Sequence, residues 1–259
     1  MNTLHACIAG VGFWNDGLPS WDAARDLVAS GTLPADPPAR PVPRLLAPNE
    51  RRRAPASVAV ALDVAMAACE SAGADPTELP SVFASTHGDL AITDYICATL
   101  AEHPLELSPT RFHNSVHNAA AGYWTIGSGC LQPTTAISSY DASFAQGLLE
   151  AMSQLAAGAD RVLLVAYDTE ATGPLSAMSG SRGLLGGALV LAADCEGTRL
   201  RATLVDGEVP ARTGPLARRA AGNSMAPMLP FFDALATRDD LVLLKAGPGR
   251  LLRVEFAHD

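Results

Sequence analysis

Asp141 sits among three serine hydroxyls, Ser138, Ser139 and Ser143, where an extended run gives way to a helical one. The free N–H groups and partial positive charge of a helix start stabilise an anion, so such a point suits a nucleophile or a charged base. A carboxylate held ionised there is a poor nucleophile. An acyl group carried on it would be a mixed anhydride, which water cleaves. Two roles remain: an N-cap that accepts from the first helical turn, or a catalytic carboxylate acting with the serines. His113 and His117 are four apart and could share a helix face, but no H-E-x-x-H pattern and no third ligand accompany them. They point to hydrogen bonding, with Asn114 and Asn118 as partners, and no metal is expected. Cys7, Cys69, Cys97, Cys130 and Cys195 contain no C-x-x-C pair. Neither a zinc site nor a disulfide framework is therefore expected, but reduced, buried thiols in a cytoplasmic protein. Gly10-Val11-Gly12 lacks the third glycine of a dinucleotide fingerprint, and no cofactor is expected.

The elements around Asp141 follow from periodicity. Residues 133–138 read as a strand. Phe144, Leu148, Leu149, Met152 and Leu155 recur at helical spacing, and Ala145, Gly147, Ala151 and Ala157 fill the other side. A helix apolar or small nearly all round is buried on every side. Residues 160–166 form a buried strand and 167–180 a flexible loop. Towards the N-terminus, 6–13 read as a strand that turns at its glycines, 33–48 as a proline-rich surface loop, and 56–72 as a helix behind the solvated Glu50-Arg51-Arg52-Arg53 start. A strand and then a turn over 80–89, and a helix over 90–100 with Ile92, Ile96 and Leu100 on one stripe, come next. Beyond the central helix, 182–192 read as a glycine-rich turn followed by a strand, 198–205 as a strand, 224–236 as one helix, and 241–256 as a hairpin across Gly247-Pro248-Gly249. The 259 residues, 48% hydrophobic and 17% charged, suffice for one well-buried domain. A net charge of -9 argues against nucleic acid and anionic membrane surfaces as partners. The apolar run 6–13 is too short and too glycine-broken for a membrane span or signal peptide.

Two stretches resemble β-ketoacyl synthases of the thiolase superfamily. In one, Pro133 lies eight residues before Asp141, Gly158 closes the helix, and 160–166 follow as a strand. On this match Asp141 falls where the family has its acyl-accepting cysteine. In the other, Ser108-Pro109 precedes Asn114-Ser115-Val116-x-Asn118 and then Ala121-Gly122, as in the family's segment near the dimer interface and acyl tunnel. The resemblance implies an α/β thiolase-like fold, truncated to mainly the N-terminal half, with a mixed sheet, a buried central helix, a short C-terminal helix and a hairpin. It covers residues 6–205 of a single domain over 1–259, and 206–259 form a truncated remainder. The family's second half supplies two catalytic histidines, whereas here only His258 lies beyond His117.

By that resemblance the chain is similar to the chain length factor subunits of aryl polyene type II polyketide pathways. Those are noncatalytic and pair as heterodimers with an active β-ketoacyl synthase. The implied interface and acyl-tunnel residues are His113, Asn114, Ser115, His117, Asn118, Gly122, Thr135, Ile137, Ser139, Tyr140 and Phe144, with no catalytic residue. Tyr140 and Phe144 lean towards the core rather than towards plugging a tunnel. The implied partners are the ketosynthase and an acyl carrier protein that docks mainly on that ketosynthase, because this chain is acidic. A stand-alone malonyl-carrier decarboxylase and an acyl-binding homodimer remain alternatives.

Overall fold

The computed structural model describes residues 3–258. In chain order the elements are β1 (Leu4–Asn15), α1 (Trp21–Ser30), α2 (Pro48–Arg51), α3 (Ala56–Ala72), β2 (Ser81–Ala84), α4 (Leu90–Glu102), α5 (Pro109–His113), α6 (Ala119–Ser128), β3 (Thr134–Ile137), α7 (Ser143–Ala156), β4 (Arg161–Asp168), α8 (Ser176–Ser179), β5 (Leu185–Ala192), β6 (Arg199–Asp206), α9 (Pro215–Arg219), α10 (Leu229–Thr237), β7 (Leu241–Gly247) and β8 (Arg250–Ala257). The strands form one mixed sheet in the order β3-β2-β4-β5-β1-β6-β8-β7. β3, β2 and β4 run parallel and the other pairs antiparallel. This is the thiolase-like α/β arrangement that the resemblance implies.

Two cores lie on the two faces of the sheet. One joins α7, α9 and α10 to β4, β5 and β8 through Phe144, Leu148, Met152, Leu216, Phe231 and Phe232. The other seats α3 and α6 through Val60, Val64, Ala68 and Trp124. β4 and β5 are buried on both faces, which is why they read as unbroken apolar runs rather than alternating ones. α7 buries Phe144, Ala145, Gly147, Leu148, Ala151, Met152 and Leu155, but Ser153, Ala156 and Ala157 are exposed and Leu149 is half-buried, so the helix is not buried on every side as expected.

Three further expectations need correction. β1 does not turn at its glycines but continues through them for twelve residues. Gly10 and Gly12 instead let the backbone of α3 come close: a Cβ on Gly12 would lie 2.0 Å from the Val64 carbonyl oxygen, and one on Gly10 2.3 Å from that of Ala68. The helix expected over 224–236 is broken. A 3-10 turn occupies 226–228 and α10 starts at Leu229, with Pro227 and Pro230 each at the first or second position of its own element, where a missing N–H costs nothing. After this break, β7 and β8 extend the sheet beyond β6.

The third correction concerns the cysteines. Cys7 and Cys195 form a disulfide, although 188 residues separate them. Cys7 lies on β1, which pairs with both β5 and β6, so the loop between those strands is brought over it. Spacing in sequence carries no trace of that. Cys69 and Cys130 are buried free thiols and Cys97 an exposed one. Burial pushes the Cys69 thiol up to about 12, which leaves it inert. Replacing Cys7 with serine is expected to cost ~2–4 kcal/mol of stability, read as a lower urea midpoint. Reductant should lower the wild-type midpoint by as much and leave the variant unmoved. A wild-type midpoint indifferent to reductant would refute the bridge.

Candidate functional site

The open end of β3 leads into the turn that carries Asp141. β3 pairs with β2 from Ser81↔Thr134 to Ala84↔Ile137 and forms one edge of the sheet. Ser138 Oγ donates to the Thr86 carbonyl at 2.9 Å, tying the strand end to the loop after β2. Tyr140 then adopts φ +54°, a left-handed backbone that costs a bulky L-residue ~1–2 kcal/mol. Ser143 holds the turn together. Its hydroxyl donates to the Tyr140 carbonyl at 2.6 Å and accepts the Ser139 N–H at 2.9 Å. The Thr86 hydroxyl also donates to the Tyr140 carbonyl.

Asp141 is therefore not the cap. It lies inside a 3-10 turn spanning 140–142, and its carboxylate pairs with Lys245 on β7. Each side chain of that pair is more than a third exposed, so the pair contributes only ~0–1 kcal/mol. Gln146 reinforces it by donating to the Ala246 carbonyl at 2.6 Å. Asp141 and Lys245 stand at one end of a groove of about 570 Å³ lined also by Arg212, Thr213 and Asp233. Asp233 is engaged by the Leu216 and Ala217 N–H groups at 2.9 and 3.0 Å, and burial raises its pKa above the usual carboxylate range.

Beneath the turn lies a carboxylate that the sequence reading passed over. The flexible loop expected from residue 167 begins too early, because Tyr167 and Asp168 belong to β4 and are buried. Asp168 accepts the Ser85 hydroxyl at 2.6 Å and the Thr86 N–H at 3.1 Å. Ser85 in turn accepts the Gly88 N–H at 2.8 Å. Burial raises the Asp168 pKa, and these hydrogen bonds and His87 oppose that rise. Asn223 bridges the Asp168, Arg182 and Gly183 carbonyls. The network fixes the loop on which Tyr140 rests. Its signal in the sequence was an acidic residue closing an apolar run, at the carboxyl end of a central strand.

The two histidines do not share a helix face. α5 ends at His113, and α6 begins at Ala119. His117 Nε2 bonds the Ser85 carbonyl at 2.9 Å, not an asparagine. Asn114 is buried and accepts the Tyr123 hydroxyl at 3.1 Å, and His113 lies edge-on to the Tyr123 ring. Ser115 bonds back to the Phe112 carbonyl. Asn118 is exposed and makes no side-chain cap. A Cβ on Gly122 would meet nothing within 4 Å, so nothing in this chain requires a glycine there. Thr135 and Ile137 are half-buried and Ser139 exposed. Phe144 is core, packed on Phe231 and Phe232 at 5.5 and 6.1 Å. Tyr140 is 62% exposed, which overturns the core reading for that residue.

The residues between α4 and the turn share one property. Leu100, Leu105, Phe112, Val116, Ile126, Leu131 and Tyr140 are all exposed, and neither α4 nor α5 buries a residue. The stripe expected on α4 thus covers little of this chain's core. Among the described residues the outer edge of β3, against which α6 packs, has no strand partner. Exposed apolar side chains next to an open sheet edge mark an association surface.

The β-ketoacyl synthase N-terminal domain model matches residues 21–245. No curated protein matches the chain. Among solved structures, one of the ketosynthase ApeO in complex with its chain length factor ApeC from Xenorhabdus doucetiae is 21% identical, with a TM-score of 0.70 over 98% of this chain and 97% of that one. The AntDE:AntF structure, a type II polyketide synthase acyl carrier protein with its hexaketide-bound ketosynthase, matches at TM-score 0.72 and 14% identity over the whole of both chains. The ishigamide ketosynthase/chain length factor matches at 0.69 and 16%, over 98% of this chain and 99% of that one. At these identities the likeness is one of fold.

Proposed function

Because the chain belongs to the β-ketoacyl synthase family, we propose that it is a noncatalytic, chain-length-factor-like subunit that pairs with an active β-ketoacyl synthase. In this reading the heterodimer builds polyketide chains of the aryl polyene type on an acyl carrier protein, and this chain shapes the acyl tunnel of its partner. The observation that carries the reading is the open edge of β3 flanked by the exposed apolar side chains of residues 100–140. A standard interface buries roughly 800 Å² per partner, and a strand edge with such neighbours is the kind of surface that supplies it.

The chemistry of the turn supports a noncatalytic role. The position matched to the family's nucleophile holds a carboxylate already paired with Lys245, so no thiolate stands at that position to take an acyl group. Cys130 is buried and lies before β3. The test is the native mass of the chain purified alone and after co-expression with a ketosynthase encoded nearby. A stable one-to-one complex is the expected result. A homodimer that ignores the ketosynthase would overturn the proposal.

A further inference from the structure

We propose that residues 90–113 form an arm that is marginally ordered in the free chain and becomes fixed when the ketosynthase partner covers it. The inference rests on the heterodimer reading and goes on to name the segment whose order follows association. Not one residue of this span is buried, whereas Asp89 before it and Asn114 after it both are. No apolar side chain of the span belongs to either core or packs against one. Among the described residues, one side-chain hydrogen bond joins the span to a distant part of the chain, from the Thr172 hydroxyl to Asp94 at 3.3 Å. The Arg111 guanidinium lies 3.8 Å over the Tyr95 ring, which ties one part of the arm to another and neither to a core.

The helices of the arm cannot order themselves. α4 has 13 residues and α5 has 5, and isolated helices shorter than about 12–15 residues are marginal in water even when alanine-rich. Within α4 the β-branched Ile92, Thr93, Ile96 and Thr99 lower helix propensity. The Thr93 and Thr99 hydroxyls bond back to the Asp89 and Tyr95 carbonyls at 3.1 and 2.8 Å, which destabilises a helix slightly. Glu102 sets a negative charge in the last turn, where no basic residue offsets it, against the helix dipole. Yet the arm carries an apolar stripe in Ile92, Ile96 and Leu100, and Leu105 and Phe112 are exposed beyond it. Such a stripe stabilises its helix by packing against a surface, and neither core of this chain supplies one. The fixed ends of the arm stand near the open edge of the sheet. Asp89 accepts the Ser57 hydroxyl at 2.8 Å, and His117, shortly beyond the arm, bonds the Ser85 carbonyl just past β2, the strand paired with β3. With Asp94, Glu102 and Glu106 against Arg111 the arm is acidic, which suits a protein partner rather than an anionic membrane. Contact with the ketosynthase then selects the helical form from a mobile ensemble.

The experiment is hydrogen exchange, read by mass spectrometry, on the free chain at two concentrations and on the co-expressed complex. Amides of residues 90–113 should exchange within about tenfold of the unstructured rate in the free chain, and at least about a hundredfold more slowly in the complex. Thr93→Ala combined with Thr99→Ala raises helix propensity without adding a contact, and should tighten the complex by about three- to tenfold. Strong protection of the span in the free chain at both concentrations would overturn the inference, as would a complex in which the span stays unprotected. Either result leaves the heterodimer reading standing. Protection in the free chain that grows with concentration would assign the arm to a second copy and overturn the choice of partner. An unchanged or weaker affinity of the alanine variant would overturn the claim that association bears the cost of ordering the arm. Absence of any complex with the ketosynthase would overturn both readings.

Discussion

Alanine in place of Gly12 is expected to cost ~3 kcal/mol, near the upper end for overpacking. Its new methyl group would lie 2.0 Å from the Val64 carbonyl oxygen, 2.9 Å from the Val64 carbonyl carbon and 3.0 Å from the Ala68 nitrogen. These are helix backbone atoms, so no rotamer change can relieve the clash and α3 must lift off β1. Lifting it pulls Val60, Val64 and Ala68 out of the core that also holds Val165 and Val190. Gly10 lies two residues along the same strand and therefore on the same face, against Ala68 and Ala72. One displacement of the helix relieves both clashes, so the double alanine variant should cost less than the sum of the singles. Gly122→Ala is the contrast. That glycine lies in α6 with open space where its Cβ would go, and its replacement should be neutral or stabilising by up to ~1 kcal/mol. Urea midpoints of the three variants decide the matter. A Gly12→Ala midpoint equal to that of the wild type would mean that α3 does not rest on β1 in this way.

The second large effect concerns association. Ile126→Asp together with Leu131→Asp should weaken the complex with the ketosynthase by a hundredfold or more, at about 2 kcal/mol for each lost anchor. Ile126 is 83% exposed and Leu131 98% exposed in the single chain, so the substitutions leave its own core untouched. Within an interface each would bury a carboxylate without a partner, a cost comparable to losing the apolar contact itself. Size-exclusion mass of the co-expressed pair reads the outcome, and an unchanged melting temperature of the isolated chain shows that folding is intact. A complex that survives both changes would place the partner on another face.

Much of this architecture was legible because burial writes itself into periodicity. α3 and α7 were readable from apolar spacing, and β4 and β5 from unbroken apolar runs. The hairpin of β7 and β8 was readable from Gly247-Pro248-Gly249 between two strand patterns. What escaped depends on contacts between distant residues. The partner of Cys7 was hidden because strand order, not spacing, brings Cys195 to it. Asp141 was read as a cap because a local rule fits its position, and the lysine that claims it lies 104 residues later. The glycines of β1 were read as a turn because a turn is the commonest local use of glycine, whereas the need for them arises from α3, some fifty residues on. Tyr140 was assigned to the core by its type, and its exposure follows from a backbone conformation that residue type alone would have argued against.

The strand order also constrains how the protein can be made. β1 is synthesised long before its strand partners among the described residues, β5 and β6, which span residues 185–206. At roughly 5–20 residues per second, those partners follow ~10–40 s behind it. Throughout that interval a largely apolar segment with both edges open lacks the strands it pairs with, so β1 is a point at which the nascent chain needs holdase protection.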